Sequence, residues 1–478
     1  MKRLLLIAFI TISSFFTSAQ TTYGVDFSNA IISRWPSGIN NMTFKGWEYS
    51  NSIVLLGMAD IYDQTNNAAY LTYIKTYVDG YIGTDGTAIT SSLVQSLDKI
   101  HPGMLCLWLY EKTGTLKYKT AAATIRNYLL KTGAGAYART PENGFYHKNI
   151  YPYTYKNVMM CDGIYMASPF LAKYGALFND TVATDEAAFQ TMILYSHVYD
   201  SATKLVYHAW NYDKTTFTWS NPTTGVSSQV WSRGMGWYMM ALVDILEYLP
   251  KTQARYGEMK TALQNLCEGL KNYQDANTGL WFQVVQNPAG AGNWIETSGS
   301  GMFIYAMKKA INNGLIDSAV YTPVVNNAWT GLKTYVVNYN DNKPQITSFA
   351  PAMGVLPTYN DYAITLPTAC PGSAHPHGYC AILMASALME YPSLGTVAFE
   401  KSNGIQFFNT ENHLNISATD GKSEATAIKI YDINGKNLIS TSSLEQNITV
   451  NITSLPQGVY VCAIERGGKT TSEKFIKK

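Results

Sequence analysis

Between Phe44 and Tyr391 apolar residues recur at intervals of three and four, so this stretch can bury its apolar surface only as amphipathic helices packed together. Met235, Met239, Leu242, Leu246 and Leu249 form one such stripe, and Met259, Leu263, Leu266, Leu270 and Tyr273 form the next. The same spacing predicts helices near 47–62, 66–80, 92–112, 116–131, 162–178, 185–200, 296–313, 321–337 and 377–390. That makes eleven, one short of the twelve that six helical hairpins require, with Gly- and Asn-rich punctuation between them.

The two ends read differently. Met1-Lys2-Arg3 is basic, Leu4 to Phe16 is apolar, and Thr17-Ser18-Ala19 offers small residues for cleavage, the pattern of a secretory signal peptide. No later stretch approaches about 18 uninterrupted apolar residues, so no membrane span is expected and the mature protein is expected to be soluble and exported. After Leu394 the period switches to alternation, as in Ala427-Ile-Lys-Ile-Tyr431 and Gly458-Val-Tyr-Val-Cys462, with a turn signal at Asp432-Ile-Asn-Gly435. The expected organisation is a signal peptide at 1–19, a helical domain at 20–395, a linker at 396–404 and a small β-sandwich at 405–478.

A formal net charge of +2 with only 14% charged residues leaves no basic patch for nucleic acid. Six cysteines are too few for a dense disulfide framework at this length. Cys106 and Cys267 sit in helical patterns and are expected to be buried, whereas Cys370 and Cys380 flank a Pro/Gly/His-rich loop and could be bridged in an oxidising compartment. His375-Pro-His377 lacks a partner motif, so no metal site is expected. The 35 tyrosines and 10 tryptophans suit the apolar faces and hydroxyl rims of sugars, although most must simply pack a large core.

Three β-prone pieces recur between the predicted helices: Asn143-Gly-Phe-Tyr-His147, Lys204-Leu-Val-Tyr-His208 and Thr278-Gly-Leu-Trp-Phe282. In a ring of hairpins these linkers would line one mouth, and two of them place a histidine there. Asp162 opens the helix that begins Asp-Gly-Ile-Tyr-Met166, where a carboxylate could be a cap or a dipole partner. Its neighbours are nearly all apolar or aromatic, which predicts a raised pKa and a proton retained near neutral pH. Asp98, in Gln95-Ser-Leu-Asp-Lys-Ile-His-Pro-Gly103, is a second acid beside a loop and a helix. Trp231-Ser-Arg-Gly-Met-Gly-Trp237 flanks Arg233 with two indoles; arginine suits a carboxylate and indoles suit sugars, but a tight helix contact would also need those glycines.

Taken in order, Leu97-Asp-Lys-Ile-His-Pro-Gly103, Gly144-Phe-Tyr-His-Lys148, Asp162-Gly-Ile-Tyr-Met166 with Pro169-Phe-Leu-Ala172, Tyr207-His-Ala-Trp210, Trp231 to Trp237 and Glu296-Thr-Ser together resemble the unsaturated rhamnogalacturonyl hydrolases, glycoside hydrolase family 105. The resemblance implies an all-α (α/α)6 barrel and vinyl-ether hydration of a terminal unsaturated uronic acid, without metal or organic cofactor. By position, Asp162 matches the family's general acid/base and Asp98 its supporting acid, while His147, His208, Trp231, Arg233, Trp237 and Tyr49 match pocket residues. The chain departs at Met160, where the family usually has tryptophan, and around Ala374 to Tyr379.

Residues Tyr431-Asp-Ile-Asn-Gly-Lys436, Leu455-Pro-Gln-Gly-Val-Tyr460 and Lys474-Phe-Ile-Lys-Lys478 resemble the C-terminal sorting domain of type IX secretion cargo. This implies a secreted or cell-surface protein whose partners are an unsaturated acidic oligosaccharide and the type IX machinery. Three readings compete with the hydrolase: a polysaccharide lyase built on a helical toroid, a non-catalytic glycan-binding surface protein, and a conventional two-carboxylate glycosidase.

Overall fold

The computed structural model describes residues 22–42, 44–150, 153–364, 376–391, 405–409, 413–418, 424–432, 435–445, 447–456 and 458–477. Its long helices are Tyr23–Arg34 (α1), Tyr49–Thr65 (α2), Ala68–Ile82 (α3), Gly103–Thr113 (α4), Leu116–Leu129 (α5), Cys161–Phe178 (α6), Thr181–Val198 (α7), Ser232–Tyr248 (α8), Tyr256–Asn272 (α9), Thr297–Asn312 (α10) and Ser318–Lys333 (α11). The short Tyr359–Ala363 (α12) and the long Pro376–Met389 (α13) complete the series.

Burial sorts these helices into two layers. In α8, 15 of 17 residues are buried, so it has no solvent face at all, whereas α9 buries only 7 of 17, on one stripe. A helix that is apolar all round must lie inside, and one with a single stripe covers it from outside. By this criterion α2, α4, α6, α8, α10 and α13 are the inner helices, each followed or preceded by a half-exposed outer partner. Inner neighbours meet at glycines: a Cβ added at Gly57 of α2 or at Gly301 of α10 would come within 2.7 Å of a Cβ on α13. Gly236 of α8 meets Met302 of α10 in the same way. The facing residues lie at similar depths from their helix starts, so the inner helices run in one direction and their N-termini gather at one mouth. With α13 packed between α10 and α2, the ring closes as an (α/α)6 barrel.

The twelfth long helix is α1. Its core face holds Gly24 and Ser28 besides Phe27, Ala30 and Ile31, which dilutes the apolar period. Gly24 is small because Ile61 and Ser386 press against it. The expected 92–112 helix begins only at Gly103; Ala88–Ser92 and Leu97–Lys99 are short 3-10 turns. Pro102 disfavours helical backbone in the residue before it and opens α4 instead. Cys106 and Cys267 are buried thiols, as is Cys380, while Cys370 lies outside the described residues.

The chain divides into two compact units, residues 1–311 with 315–392 and residues 312–314 with 393–478. In the second, strands Ile405–Asn409, His413–Ala418 and Asn447–Asn451 form one antiparallel sheet. Thr426–Asp432, Asn437–Ser443, Gly458–Arg466 and Lys469–Lys477 form another. Leu414, Ile416, Ile448 and Val450 of the first sheet share one core with Ile428, Ile430, Cys462 and Ile464 of the second, which makes a β-sandwich.

Candidate active site

The three repeated linkers enter α6, α8 and α10 at the same mouth. In each, a residue with left-handed backbone precedes a short extended run: Asn143 (φ 66°), Lys204 (φ 57°) and Gly279 (φ 73°). Aligned on that turn, the fifth residues are His147, His208 and Gln283, so the third copy shifts by one position from its apparent sequence register. The extended segment Val158–Met160 pairs antiparallel with Ala209–Asn211, which brings the start of α6 beside His208.

Asp162 lies in the first turn of α6 with its side chain 14% exposed. Its Oδ2 lies 3.1 Å from His208 Nε2, and His208 Nδ1 lies 2.8 Å from the Tyr362 hydroxyl. That hydroxyl also accepts the Leu356 N–H at 3.2 Å. An ionised carboxylate can only accept, so His208 Nε2 carries a hydrogen and donates it to Asp162. Burial alone would raise the Asp162 pKa, as the apolar neighbours suggested. The His208 hydrogen bond, the His208 and His147 rings and the Arg233 charge together outweigh burial, and the carboxyl lies below its ordinary value. The expectation of a raised pKa is thus corrected for the free protein. The polar partners come from other helices and linkers, which a local window does not contain.

Asp98 sits in the Leu97–Lys99 turn, 9% exposed, with Lys148 Nζ at 2.8 Å and His147 Nε2 at 3.7 Å. His147 Nδ1 is buried without a hydrogen-bond partner. Burial, more than any charge, lowers the His147 pKa and favours the neutral ring. The two acids thus have different settings: Asp98 pairs with a lysine, and Asp162 with a histidine held by a tyrosine.

The remaining sequence candidates frame this pair. Tyr49, in the first turn of α2, hydrogen-bonds His377 Nε2 at 3.0 Å and meets Trp237 edge-on. Trp237 is 1% exposed and stacks on Tyr165. Trp231, also 1% exposed, packs between the His208 ring and the Arg233 guanidinium and donates its indole N–H to Gln283. Neither indole offers an open face. The Arg233 fork, expected to suit a carboxylate, donates instead to the Ala350 and Pro351 carbonyls, at 2.6 Å each. Glu296, fully buried, accepts the backbone N–H groups of Ser298, Gly299 and Ala350. Arg233 and Glu296 together pin the segment that runs on to Leu356 and Tyr362. Tyr362 escaped the sequence reading: it lies in a short helix with a capping box, 154 residues from the histidine it orients, and no motif marks it.

Residues 26–391 match the profile of Glycosyl Hydrolase Family 88, and residues 410–478 match that of the Secretion system C-terminal sorting domain. A relative from Agrobacterium fabrum is 35% identical over 161 residues, 32% of this chain, and the match spans only 63% of that protein's length. The unsaturated rhamnogalacturonyl hydrolase YesR of Bacillus subtilis is 23% identical over 286 residues, covering 59% of this chain and 76% of the relative. Among solved structures, a C. acetobutylicum glycoside hydrolase from family 105 superposes with a TM-score of 0.68 at 29% identity, covering 77% of this chain and 99% of its own. The barrel, the order of its motifs and the extent of the profile match agree: the chain belongs to Glycosyl Hydrolase Family 88, and it ends in a secretion sorting domain.

Proposed function

We propose that the barrel removes a terminal 4,5-unsaturated uronic acid from lyase-generated acidic oligosaccharides of the rhamnogalacturonan or pectin type, by hydrating the C4=C5 double bond. The observation that carries this reading is the pair of carboxylates held differently at one mouth. Asp162 has the His208 Nε2–H behind it and is the proton donor; Asp98, tied to Lys148, is the supporting acid. The name of the Bacillus subtilis relative supports the same assignment, and the family-105 structure supports a glycoside hydrolase.

The substrate's carboxylate adds negative charge to the mouth and its ring displaces water, and both favour the protonated form of Asp162. Asp162 then delivers its proton to C4, and positive charge develops at C5 and the ring oxygen. Water adds to C5 while the Asp162 carboxylate takes its proton, so the acid is restored and one water has crossed the double bond. The product is a hemiketal, which opens and expels the rest of the oligosaccharide. Half-buried Tyr49 and His147, which is 7% exposed, lie nearest the mouth, while His208, Trp231, Arg233 and Trp237 are buried behind it and brace it. The sorting domain and the basic–apolar leader support export through the type IX machinery to the surface or medium.

The ene-carboxylate absorbs in the ultraviolet, so one assay separates the readings. Loss of absorbance from unsaturated oligosaccharides identifies the hydrolase. A rise from intact polysaccharide identifies a lyase, and no change with either substrate leaves a binding protein or a conventional glycosidase.

A further inference from the structure

Beside the two acids lies a row of aromatic rings that the hydration steps do not use. Tyr155 meets the His147 ring at 6.2 Å in an edge-on contact. Phe217 lies 6.0 Å from Tyr155, tilted by 30°, and stacks on Trp219 at 5.4 Å. Trp219 is buried, whereas Tyr155 and Phe217 are half-buried and keep part of their surface open. Beneath them are Val158, Met160, Ala209 and Val355, and Met160 stands two residues before Asp162. The row therefore starts beside the acids, at His147, and its two half-buried rings are the ones nearest them.

The loop that carries Phe217 is fastened. Asn211 N–H bonds the Gly225 carbonyl at 2.9 Å, and Gly225 takes φ +81°, where an added Cβ would strike the Asn211 oxygen. Asn157 Nδ2 donates to both Asp213 oxygens at 2.9 and 2.8 Å, and Asn157 in turn accepts the Tyr146 hydroxyl. Half-exposed rings fixed this firmly form a ready surface for the C–H-rich face of a sugar, because nothing must be ordered on binding. The charges beside the row are already engaged: Asp213 by Asn157, and Asp98 by Lys148. Lys156 and Lys214, next to these loops in sequence, are exposed to solvent.

We propose that Tyr155 and Phe217 form the platform for the sugar that follows the unsaturated uronic acid, and that they select an uncharged ring with an apolar face, such as a 6-deoxyhexose, over a sulfated one. A sulfate pressed against these rings would lose water over the ring faces, which offer it no hydrogen-bond donor. This rests on the hydration reading above and adds the substrate's second sugar to it.

The test uses the full chain and three substrates: the unsaturated uronyl methyl glycoside, the unsaturated uronyl–rhamnose disaccharide and an unsaturated uronyl disaccharide with a sulfated second sugar. Phe217→Ala and Tyr155→Ala should each raise KM for the rhamnose disaccharide by roughly three- to tenfold, the range of one aromatic contact, with kcat nearly unchanged. Neither should alter kinetics on the methyl glycoside, which has no second ring. Phe217→Leu, which keeps the packing on Trp219 but lacks a flat face, should behave like Phe217→Ala even where the alanine variant folds poorly. Unchanged KM on the rhamnose disaccharide in a folded variant, or a parent preference for the sulfated disaccharide, overturns the platform while leaving the hydration reading intact. A parent that bleaches none of the three substrates overturns both.

Discussion

Asp162→Asn separates binding from chemistry at this site. In the free protein the Asp162 carboxyl lies below the ordinary aspartate value of 3.8. At pH 7 fewer than about one molecule in 10³ then carries the proton that C4 must receive, and protonating the rest costs at least about 4 kcal/mol. A substrate carboxylate a few ångströms away can raise such a pKa by roughly one to three units, and exclusion of water adds to the shift. Much of that cost is therefore met when substrate binds. Asparagine keeps the shape and leaves His208 Nε2–H an acceptor at the 3.1 Å contact, but it has no proton to give. Binding should survive, and kcat should fall by at least about 10²-fold, equivalent to about 2.7 kcal/mol of barrier.

The pH profile follows with a definite sign. The ratio kcat/KM reports the free enzyme, whose Asp162 loses its proton below the usual range, so kcat/KM should fall as pH rises from 4 to 8. kcat reports the bound state, in which the pKa is raised, so its decline should begin at higher pH. Initial rates of ultraviolet bleaching across that range, with calorimetric titration of the asparagine variant, measure both. Bleaching at the parent rate by Asp162→Asn would refute the assignment and point to Asp98. A kcat/KM flat from pH 4 to 8 would refute the proton argument.

Tyr362→Phe removes one buried hydrogen bond to His208 and should lower kcat roughly three- to tenfold, with a smaller change in KM. An unaltered kcat and pH profile would show that the tyrosine does not orient the imidazole. Arg233→Lys cannot span the Ala350 and Pro351 carbonyls, so it should destabilise by about 1–3 kcal/mol and weaken substrate binding; an unchanged Tm and KM would contradict this. Asp60 on α2 has a buried, unpartnered Oδ2, and burial above all pushes its pKa up to about 8. The stability it gives is complete below its unfolded pKa near 4 and is lost as pH rises through about 8, so Asp60→Asn should flatten the fall of Tm over that window. A protein ending near residue 400 should keep the turnover of the full chain, and a folded but inactive truncation would count against a self-sufficient barrel.

What could be read from the sequence depended on the distance over which each property is decided. Helices such as α8 and α9 are set by residues three and four apart, and their stripes were legible without any tertiary knowledge. For α1 the same signal fails because its core face carries Gly24 and Ser28, and Gly24 is small to admit Ile61 and Ser386, residues that a local pattern never sees. The candidate acids were visible as residue types in strings, but the charge state of Asp162 was not. Its local neighbours are apolar and predict a raised pKa, whereas His208 arrives from the next linker, 46 residues on, and Tyr362 from farther still. Arg233 shows the same division. Its place between two indoles was plain, yet the carbonyls that use its fork lie 117 and 118 residues downstream. A motif thus locates the candidate groups, while their protonation and orientation belong to residues recruited from elsewhere in the ring. Variants at Tyr362 and Arg233 should therefore disturb this chemistry as surely as variants in the mouth, although no motif marks Tyr362.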